Sequence, residues 1–254
     1  MIDAGVGIST NANAYQAGKE AAKEALHAMT VKPKIAILVI DGITRKKIDY
    51  NAVIKGVRDE IGPEPKLLGS TVNGIMVNDR FALRSTGLML IGGDINVDAE
   101  FNYGKSRTDW EKIAQNIYNI KKGIPKKDNQ FLLMFQDGVK FPPEIMEQQK
   151  MLNSRMVSMM SGLVGRIFSK KLDDFKVVGK GMPSVQEIIE DLYNKGWDIP
   201  IVGNVSTILK DYDAYEFWDN NVVVDGSMGL FLSGTGNTKF GFGYRAGAEP
   251  LGIS

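Results

Sequence analysis

One pattern occurs twice along the chain, and it constrains the fold more than any other feature of the sequence. An apolar run that ends in Asp-Gly occupies residues 35–42 and again residues 131–138. In each half a segment with helical character follows, and then a short strand after a proline, at 65–71 and 200–207. Each apolar run has the length of a buried strand, and Asp-Gly favours a turn. The shared order predicts two diverged copies of one α/β unit.

The remaining periodic segments give the expected fold class. Each half ends in a pair of apolar strands, at 88–93 and 101–104, and at 230–234 and 242–245. Apolar residues at helical spacing predict helices after Asn11 and near residues 50–60, 109–122 and 184–195. Short strands separated by turn residues favour hairpins, whereas strand–helix–strand segments favour parallel pairing. We therefore expect an α/β (mixed α+β) fold with mixed sheets covered by helices. The alternative is that the two halves share only the general pattern of α/β proteins.

These features divide the chain into a first repeat at 1–105 and a second at 106–254. The second contains an insertion at about 139–183, where five of the 12 methionines lie between Met146 and Met160 on a predicted long helix. Methionine fills irregular apolar spaces and adaptable binding surfaces. Packing in the core or against a partner is the preferred interpretation of this helix.

Composition excludes several classes of protein. The 31 basic and 30 acidic residues give a net charge of +1, so the basic excess of most nucleic-acid-binding proteins is missing. No segment approaches the roughly 20 apolar residues that span a bilayer, and residues 1–4 do not resemble a signal peptide. Cysteine is absent, which excludes disulfides and thiolate chemistry. A cytoplasmic protein without membrane insertion is expected.

Catalytic and metal sites are difficult to assemble from this sequence. The single histidine, His27, falls opposite the alanine stripe of the first helix, so it should face solvent and bind neither metal nor haem. No spaced carboxylate cluster is present either, and no cofactor is expected. The segment 5–11 lacks the third glycine of a dinucleotide fingerprint. Asp41 and Asp137 end strands, where acid–base residues often lie, but turn formation explains them more simply.

Three short segments, 5–11, 69–74 and 203–207, combine glycine with hydroxyl or amide side chains at strand ends. Glycine lets a backbone turn and approach a ligand closely, and Ser, Thr and Asn supply neutral donors and acceptors. The alternative for any one segment is helix capping and turn formation. Their recurrence predicts one or two concave sites for a small polar ligand such as an amino acid or a carboxylate. The predicted ligand-binding residues are Gly7, Ser9, Thr10, Asn11, Gly69, Ser70, Thr71, Asn73, Asp137, Gly203, Asn204, Ser206 and Thr207.

At these residues the chain resembles the FIST family. The resemblance lies in residues 6–10 with the alanine-rich 17–22, in 67–74, in 135–138 with 199–203, and in 225–234. It implies a cytoplasmic sensory domain that binds a small ligand and passes the signal to a partner protein or a C-terminal domain. Asn204 departs from the family, which usually has a second glycine there.

Two alternatives to a sensor remain at this point. One is a hydrolase-like enzyme that uses Asp41 or Asp137, and the other is a structural or oligomerisation domain. The last residues, 247–254, resemble the family's link into a second conserved domain, so we expect a truncated chain. A missing domain would expose an apolar patch, which would favour a homodimer.

Overall fold

A computed structural model describes residues 1–42, 48–106, 109–137, 185–206 and 214–241. In chain order the elements are β1 (Ile2–Ser9), α1 (Ala14–His27), β2 (Pro33–Asp41), α2 (Tyr50–Ile61), β3 (Lys66–Val72), β4 (Ile75–Val77), β5 (Arg80–Ala82), β6 (Thr86–Gly93), β7 (Ile95–Gly104), α3 (Trp110–Gly123), β8 (Gln130–Gln136), α4 (Val185–Asn194), β9 (Ile201–Val205), β10 (Glu216–Trp218), β11 (Asn221–Val223) and β12 (Gly226–Gly234). The predicted methionine-rich helix and the strand at 242–245 lie outside the described residues.

The strands form two larger sheets and one separate hairpin. The first sheet has the order β1-β6-β2-β3-β10-β11, the second has the order β7-β12-β8-β9, and β4 pairs with β5. Strands β2 and β3 are parallel, as are β8 and β9, while the other pairs are antiparallel. The prediction of a mixed α/β fold is therefore confirmed.

Three apolar clusters arrange these elements in four layers. The first cluster joins α1 and α2 to one face of the first sheet, through residues such as Ala21, Val53 and Leu38. The second joins α3 and α4 to the second sheet. The third contains Ile35 and Leu230 and lies between the sheets. Because each sheet buries both of its faces, its central strands are apolar almost throughout.

Small residues let α1 lie close to its neighbours. Asn13 caps α1 by accepting the backbone N–H of Gln16 at 3.0 Å, and the predicted alanine stripe is buried at Ala17, Ala21 and Ala25. A Cβ at Gly18 would overlap the carbonyl oxygen of Val53 in α2. Helices α1 and α2 therefore cross with their backbones almost in contact.

The two sheets share a strand order. The first four strands of the first sheet, β1-β6-β2-β3, correspond in order and pairing sense to β7-β12-β8-β9. A common origin of the two halves stays a prediction, as does the division at 105 and 106. Strand β7 pairs within the second sheet, and β10 and β11 extend the first. Pairing between strands therefore crosses the predicted division in both directions.

Candidate functional site

Two of the three predicted segments meet between the sheets, near the carboxyl ends of β3, β8 and β9. The side-chain amide of Asn204 donates a hydrogen bond of 2.8 Å to Oγ of Ser70. Ser70 is fully buried, and the two residues belong to different sheets. A polar contact at this position links the first sheet directly to the second.

Glu216 completes this group, and the sequence reasoning missed it. It pairs with Ser70 across β10 and β3, and its carboxylate accepts the hydroxyl of Ser206 and the backbone N–H of Gly226. Glu216 has no exposed surface. A single acid within the aromatic run Tyr215–Trp218 was the available signal, since a carboxyl group among buried residues needs polar partners. We call Ser70, Asn204, Ser206 and Glu216 the strand-end cluster.

Thr71 and Asp137 lie beside the strand-end cluster, and both are buried. The backbone N–H of Thr71 donates to the carbonyl of Tyr215 at 2.8 Å, and Oγ1 of Thr71 accepts the Tyr215 N–H at 3.1 Å. The backbone N–H of Asp137 donates to the carbonyl of Gly226 at 2.8 Å. These contacts fasten the neighbouring strands to one another at the place where the predicted residues converge.

The predicted glycines serve backbone packing. A Cβ at Gly69 would overlap the carbonyl oxygen of Leu38, and one at Gly203 would overlap that of Met134. The equivalent atom at Gly7 would overlap the carbonyl oxygen of Ala21 in α1. Glycine at these positions thus lets neighbouring strands and helix α1 approach closely. The ligand-binding role of these glycines stays a prediction.

The first predicted segment lies apart, at the end of β1. Oγ of Ser9 donates to Glu20 at 2.6 Å, and Nδ2 of Asn11 donates to the same carboxylate at 2.7 Å. The hydrogen bond from Ser9, and then that from Asn11, lowers the pKa of Glu20. Strands β6 and β2 separate β1 from β3. The structure does not bring this segment to the strand-end cluster.

Three further predicted residues have simple placements. Thr10 and Asn73 are exposed, and Asn73 lies in the turn between β3 and β4. Thr207 lies outside the described residues.

A second polar group lies on the other face of the second sheet, at the same strand ends. Gln136, Ser227 and Tyr103 are direct neighbours across β8, β12 and β7, and we call them the helix-side row. Side chains alternate along β8, so Gln136 shares a face with Met134, which packs with α3 and α4. Burial raises the pKa of Tyr103, so its hydroxyl remains a neutral hydrogen-bond donor at neutral pH.

The helix-side row contains buried polar atoms that no described residue satisfies. Gln136 is 1% exposed, yet neither of its side-chain amide atoms has a hydrogen-bond partner among the residues that the structure describes. The hydroxyl of Ser227 likewise has no hydrogen-bond partner among the described residues. Buried amides and hydroxyls in folded proteins are nearly always hydrogen-bonded. The row therefore offers donors and acceptors that the described residues leave unused.

The structure also places Asp41 and His27, the other candidates for catalysis or metal binding. The carboxylate of buried Asp41 accepts the backbone N–H of Arg84 at 2.5 Å, where the backbone has a φ of +52°. His27 is exposed, as the helical pattern predicted. Within the described ranges no group of three or more His, Asp or Glu side chains is placed to hold a metal ion. None of the helices described is long and apolar enough to cross a membrane.

At the opposite end of the second sheet, a charged group is fully paired. Lys127 donates to Asp98 at 2.6 Å, Gln130 donates to the same carboxylate at 2.9 Å, and so does Ser233 at 2.9 Å. Burial raises the pKa of Asp98, but these hydrogen bonds outweigh the effect and leave that pKa lowered. These hydrogen bonds stabilise this end of the second sheet.

The layered sheets and helices, with polar residues gathered at the strand ends, define a mixed α/β domain. The chain belongs to the FIST family, because the family model described as FIST N domain matches residues 43–254. Members of this family are sensory domains. The resemblance expected from the short motifs is thereby confirmed.

Comparison with individual proteins adds little to the family assignment. No curated protein matches the chain. Among solved structures, the crystal structure of cyanuric acid hydrolase from A. caulinodans is similar with a TM-score of 0.40 and 8% sequence identity, covering 92% of this chain and 71% of that chain. A similarity at this level supports no statement about the activity of the present chain.

Proposed function

We propose that this chain is a sensory domain that binds a small polar ligand, an amino acid or a small carboxylate, at the carboxyl ends of β7 and β8. Ligand binding at this site is then signalled to a partner protein. The observation that carries the proposal is the buried Gln136 amide, which finds no hydrogen-bond partner among the described residues. Membership of a sensory family supports the same conclusion.

The chemistry of the helix-side row matches an amino acid. The amide of Gln136 has two N–H donors and one acceptor oxygen, and the hydroxyl of Ser227 both donates and accepts. A ligand carboxylate would accept from the Gln136 N–H groups and from Ser227, while a ligand ammonium would donate to Oε1 of Gln136. Leaving a buried polar group unsatisfied costs about 1–3 kcal/mol. A ligand that supplies the missing partners recovers that free energy.

The strand-end cluster gives binding a route to the rest of the molecule. The backbone carbonyl of Gln136 accepts the N–H of Ser206 at 2.9 Å, and the hydroxyl of Ser206 donates to Glu216 of the other sheet. A ligand held by the Gln136 side chain therefore acts one residue's length from the contacts that join the two sheets. The signal requires that the ligand bind one arrangement of the sheets better than another.

The proposal is tested by thermal-shift and calorimetric measurements with a panel of amino acids and small carboxylates. Binding at 100 times Kd stabilises the folded state by about 2.7 kcal/mol, which gives a measurable rise in Tm. The decisive variant is Gln136→Leu, which keeps the side-chain volume nearly constant. It should retain or raise the Tm of the free protein, because an unsatisfied amide is removed, and it should abolish the shift caused by the ligand.

The matched control is His27→Ala, on the exposed face of α1, which should keep the full response to the ligand. Incubating a bound compound with the protein and following it by NMR separates sensing from turnover, since a sensor leaves its ligand unchanged. A panel without any selective hit would contradict the proposal, and so would a Gln136→Leu variant that still responds like the wild type.

A further inference from the structure

Two hairpins among the described residues, β4–β5 and β10–β11, have the same construction. Each consists of two three-residue strands joined by two residues. The first residue of the turn has a positive φ in both, +54° at Asn78 and +51° at Asp219. Six residues later the backbone again has a positive φ, +52° at Arg84 and +56° at Asp225. The hairpins therefore occupy equivalent places, each between the third strand of its unit and the strand that returns to the sheet centre.

Only one of these hairpins pairs with the edge strand of a sheet, although the buried Ile75 also packs β4–β5 against the first sheet. β10 adds to the outer edge of β3, with Phe217 opposite Gly69, and Phe217 is fully buried against the core of the first sheet. Met76 is the equivalent residue of β4, and it is 75% exposed. Its neighbour across the hairpin, Phe81, is 61% exposed, and Leu83 is 52% exposed. Hairpin β4–β5 thus presents an apolar surface to solvent.

The second sheet offers the matching edge. Strand β9 is parallel to β8 as β3 is to β2, and Gly203 lies against Met134 as Gly69 lies against Leu38. Within the described part of the chain no strand covers the outer edge of β9, which ends that sheet. Val202 and Val205 on β9 are 39% and 42% exposed. This edge is the counterpart of the one that β10 occupies.

The direction of the β9 backbone is right for adding a strand. The N–H of Ser206 points inward and donates to Gln136 of β8. Backbone groups alternate along a strand, so the N–H of Val205 points outward. Thr71 is the equivalent residue of β3, and its N–H is the group that donates to Tyr215 beside the seated hairpin. An open edge with exposed valines is a template for pairing with another chain.

We infer that hairpin β4–β5 of one copy of this chain adds to strand β9 of a second copy. The contact repeats between molecules the contact that β10 makes with β3 inside one molecule. Each copy carries both the hairpin and the open edge, so the pairing is reciprocal when a two-fold axis relates the two copies. Pairing with β9 would give β4 the backbone hydrogen bonds to a sheet edge that β10 already has.

The intramolecular register fixes the intermolecular one. Trp218 is opposite Leu68, so the equivalent residues Val77 and Val202 should face each other across the interface. The chain has no cysteine, and opposed residues of antiparallel strands lie within the Cα separation that a disulfide bridges. The test is the double variant Val77→Cys with Val202→Cys, oxidised and examined by non-reducing electrophoresis.

The matched control is Val31→Cys with Val202→Cys, because Val31 is similarly exposed, at 38%, but lies on neither surface. The Val77–Val202 pair should give at least about tenfold more covalent dimer than the control, because the preformed complex raises the effective concentration of one thiol near the other. Equal crosslinking in the two proteins would overturn the inference.

Sedimentation velocity of the uncrosslinked chain gives an independent reading. The wild type should form a dimer, and Val205→Pro, which removes an outward N–H from an edge strand, should weaken the dimer at least about tenfold. Met76→Glu should weaken the dimer to a similar extent, because Met76 lies on the hairpin that forms the other side of the interface. Circular dichroism checks that both variants remain folded. A wild type that is monomeric at all concentrations, or variants that dimerise as strongly as the wild type, would refute the proposed pairing.

Discussion

The crossing of α1 and α2 allows one stability prediction to be worked through in detail. In Gly56→Ala the new Cβ would overlap the carbonyl oxygen of Tyr15 and lie 3.0 Å from the backbone nitrogen of Lys19. Both obstacles are backbone atoms of α1, which cannot rotate away. The helices must therefore separate, and the buried contacts between Ala21 and Val53 in the same cluster loosen.

The expected magnitude follows from two opposing contributions. Alanine is favoured over glycine inside a helix by about 1 kcal/mol, whereas overpacking of a well-packed interior typically costs about 1–3 kcal/mol and sometimes more. Because the obstruction at Gly56 is rigid, the upper end of that range applies, and we expect a net loss of about 2 kcal/mol. For a domain of this size each kcal/mol lowers Tm by about 2–4 °C, so Tm should fall by about 4–8 °C.

A second helical glycine provides the internal control. Gly123 ends α3, and a Cβ there would meet no atom within 4 Å, so Gly123→Ala should be neutral or stabilising by up to about 1 kcal/mol. Urea unfolding followed by circular dichroism gives the free energy of unfolding of both variants. If Gly56→Ala proves as stable as Gly123→Ala, the close helix crossing is not as tight as described and the reasoning fails.

Three further predictions concern side chains. His27→Ala should change the free energy of unfolding by no more than about 0.5 kcal/mol, as measured by the same urea titration, and a larger change would mean that the imidazole has a partner. The lowered pKa of Asp98 means that its pairing with Lys127 stabilises the fold above the unfolded pKa of about 4 and is lost as pH falls through the folded value. The free energy of unfolding of the wild type should therefore fall in that acidic range. Between about pH 5 and about pH 2, Asp98→Asn should show a shallower fall. A double-mutant cycle of Ser70→Ala and Asn204→Ala should give a coupling of about 0.5–1.5 kcal/mol, and additivity would show that the hydrogen bond between the sheets contributes nothing.

The sequence was sufficient for the elements and for the fold class because their signals are local. Apolar periodicity predicted α2 near 50–60 and α3 near 109–122, and the helices span Tyr50–Ile61 and Trp110–Gly123. The alanine stripe predicted the buried face of α1. The same stripe predicted the exposure of His27, because it fixes which side of the helix faces solvent.

Strand pairing was harder to predict because it depends on distant residues. Strand β7 was grouped with the first half, but it pairs with β12 of the second sheet. Strand β7 belongs to the second sheet because it pairs with β12, which lies more than 100 residues later in the sequence. No local sequence pattern encodes a pairing between such distant strands. The sequence analysis therefore made no prediction of which strands share a sheet.

The candidate site shows the same limit. Ser70, Asn204 and Ser206 were chosen for their residue types, and the structure brings them together. Glu216 was missed because the sequence analysis searched for glycine with hydroxyl or amide residues, and a single acid in an aromatic run does not fit that pattern. Gln136 also escaped notice, since an amide inside an apolar strand draws attention only when its burial and its lack of partners among the described residues are known.

The seating of β10 on β3 has a consequence for how the protein is made. Thr71 and Tyr215 are 144 residues apart, so a ribosome adding about 5–20 residues per second needs roughly 7–30 s to deliver the strand that covers β3. During that interval the nascent first sheet displays an unpaired edge next to a buried apolar core. Newly synthesised chains should therefore depend on chaperone protection early in synthesis, and messages that slow translation between the codons for Thr71 and Tyr215 should increase aggregation of the product.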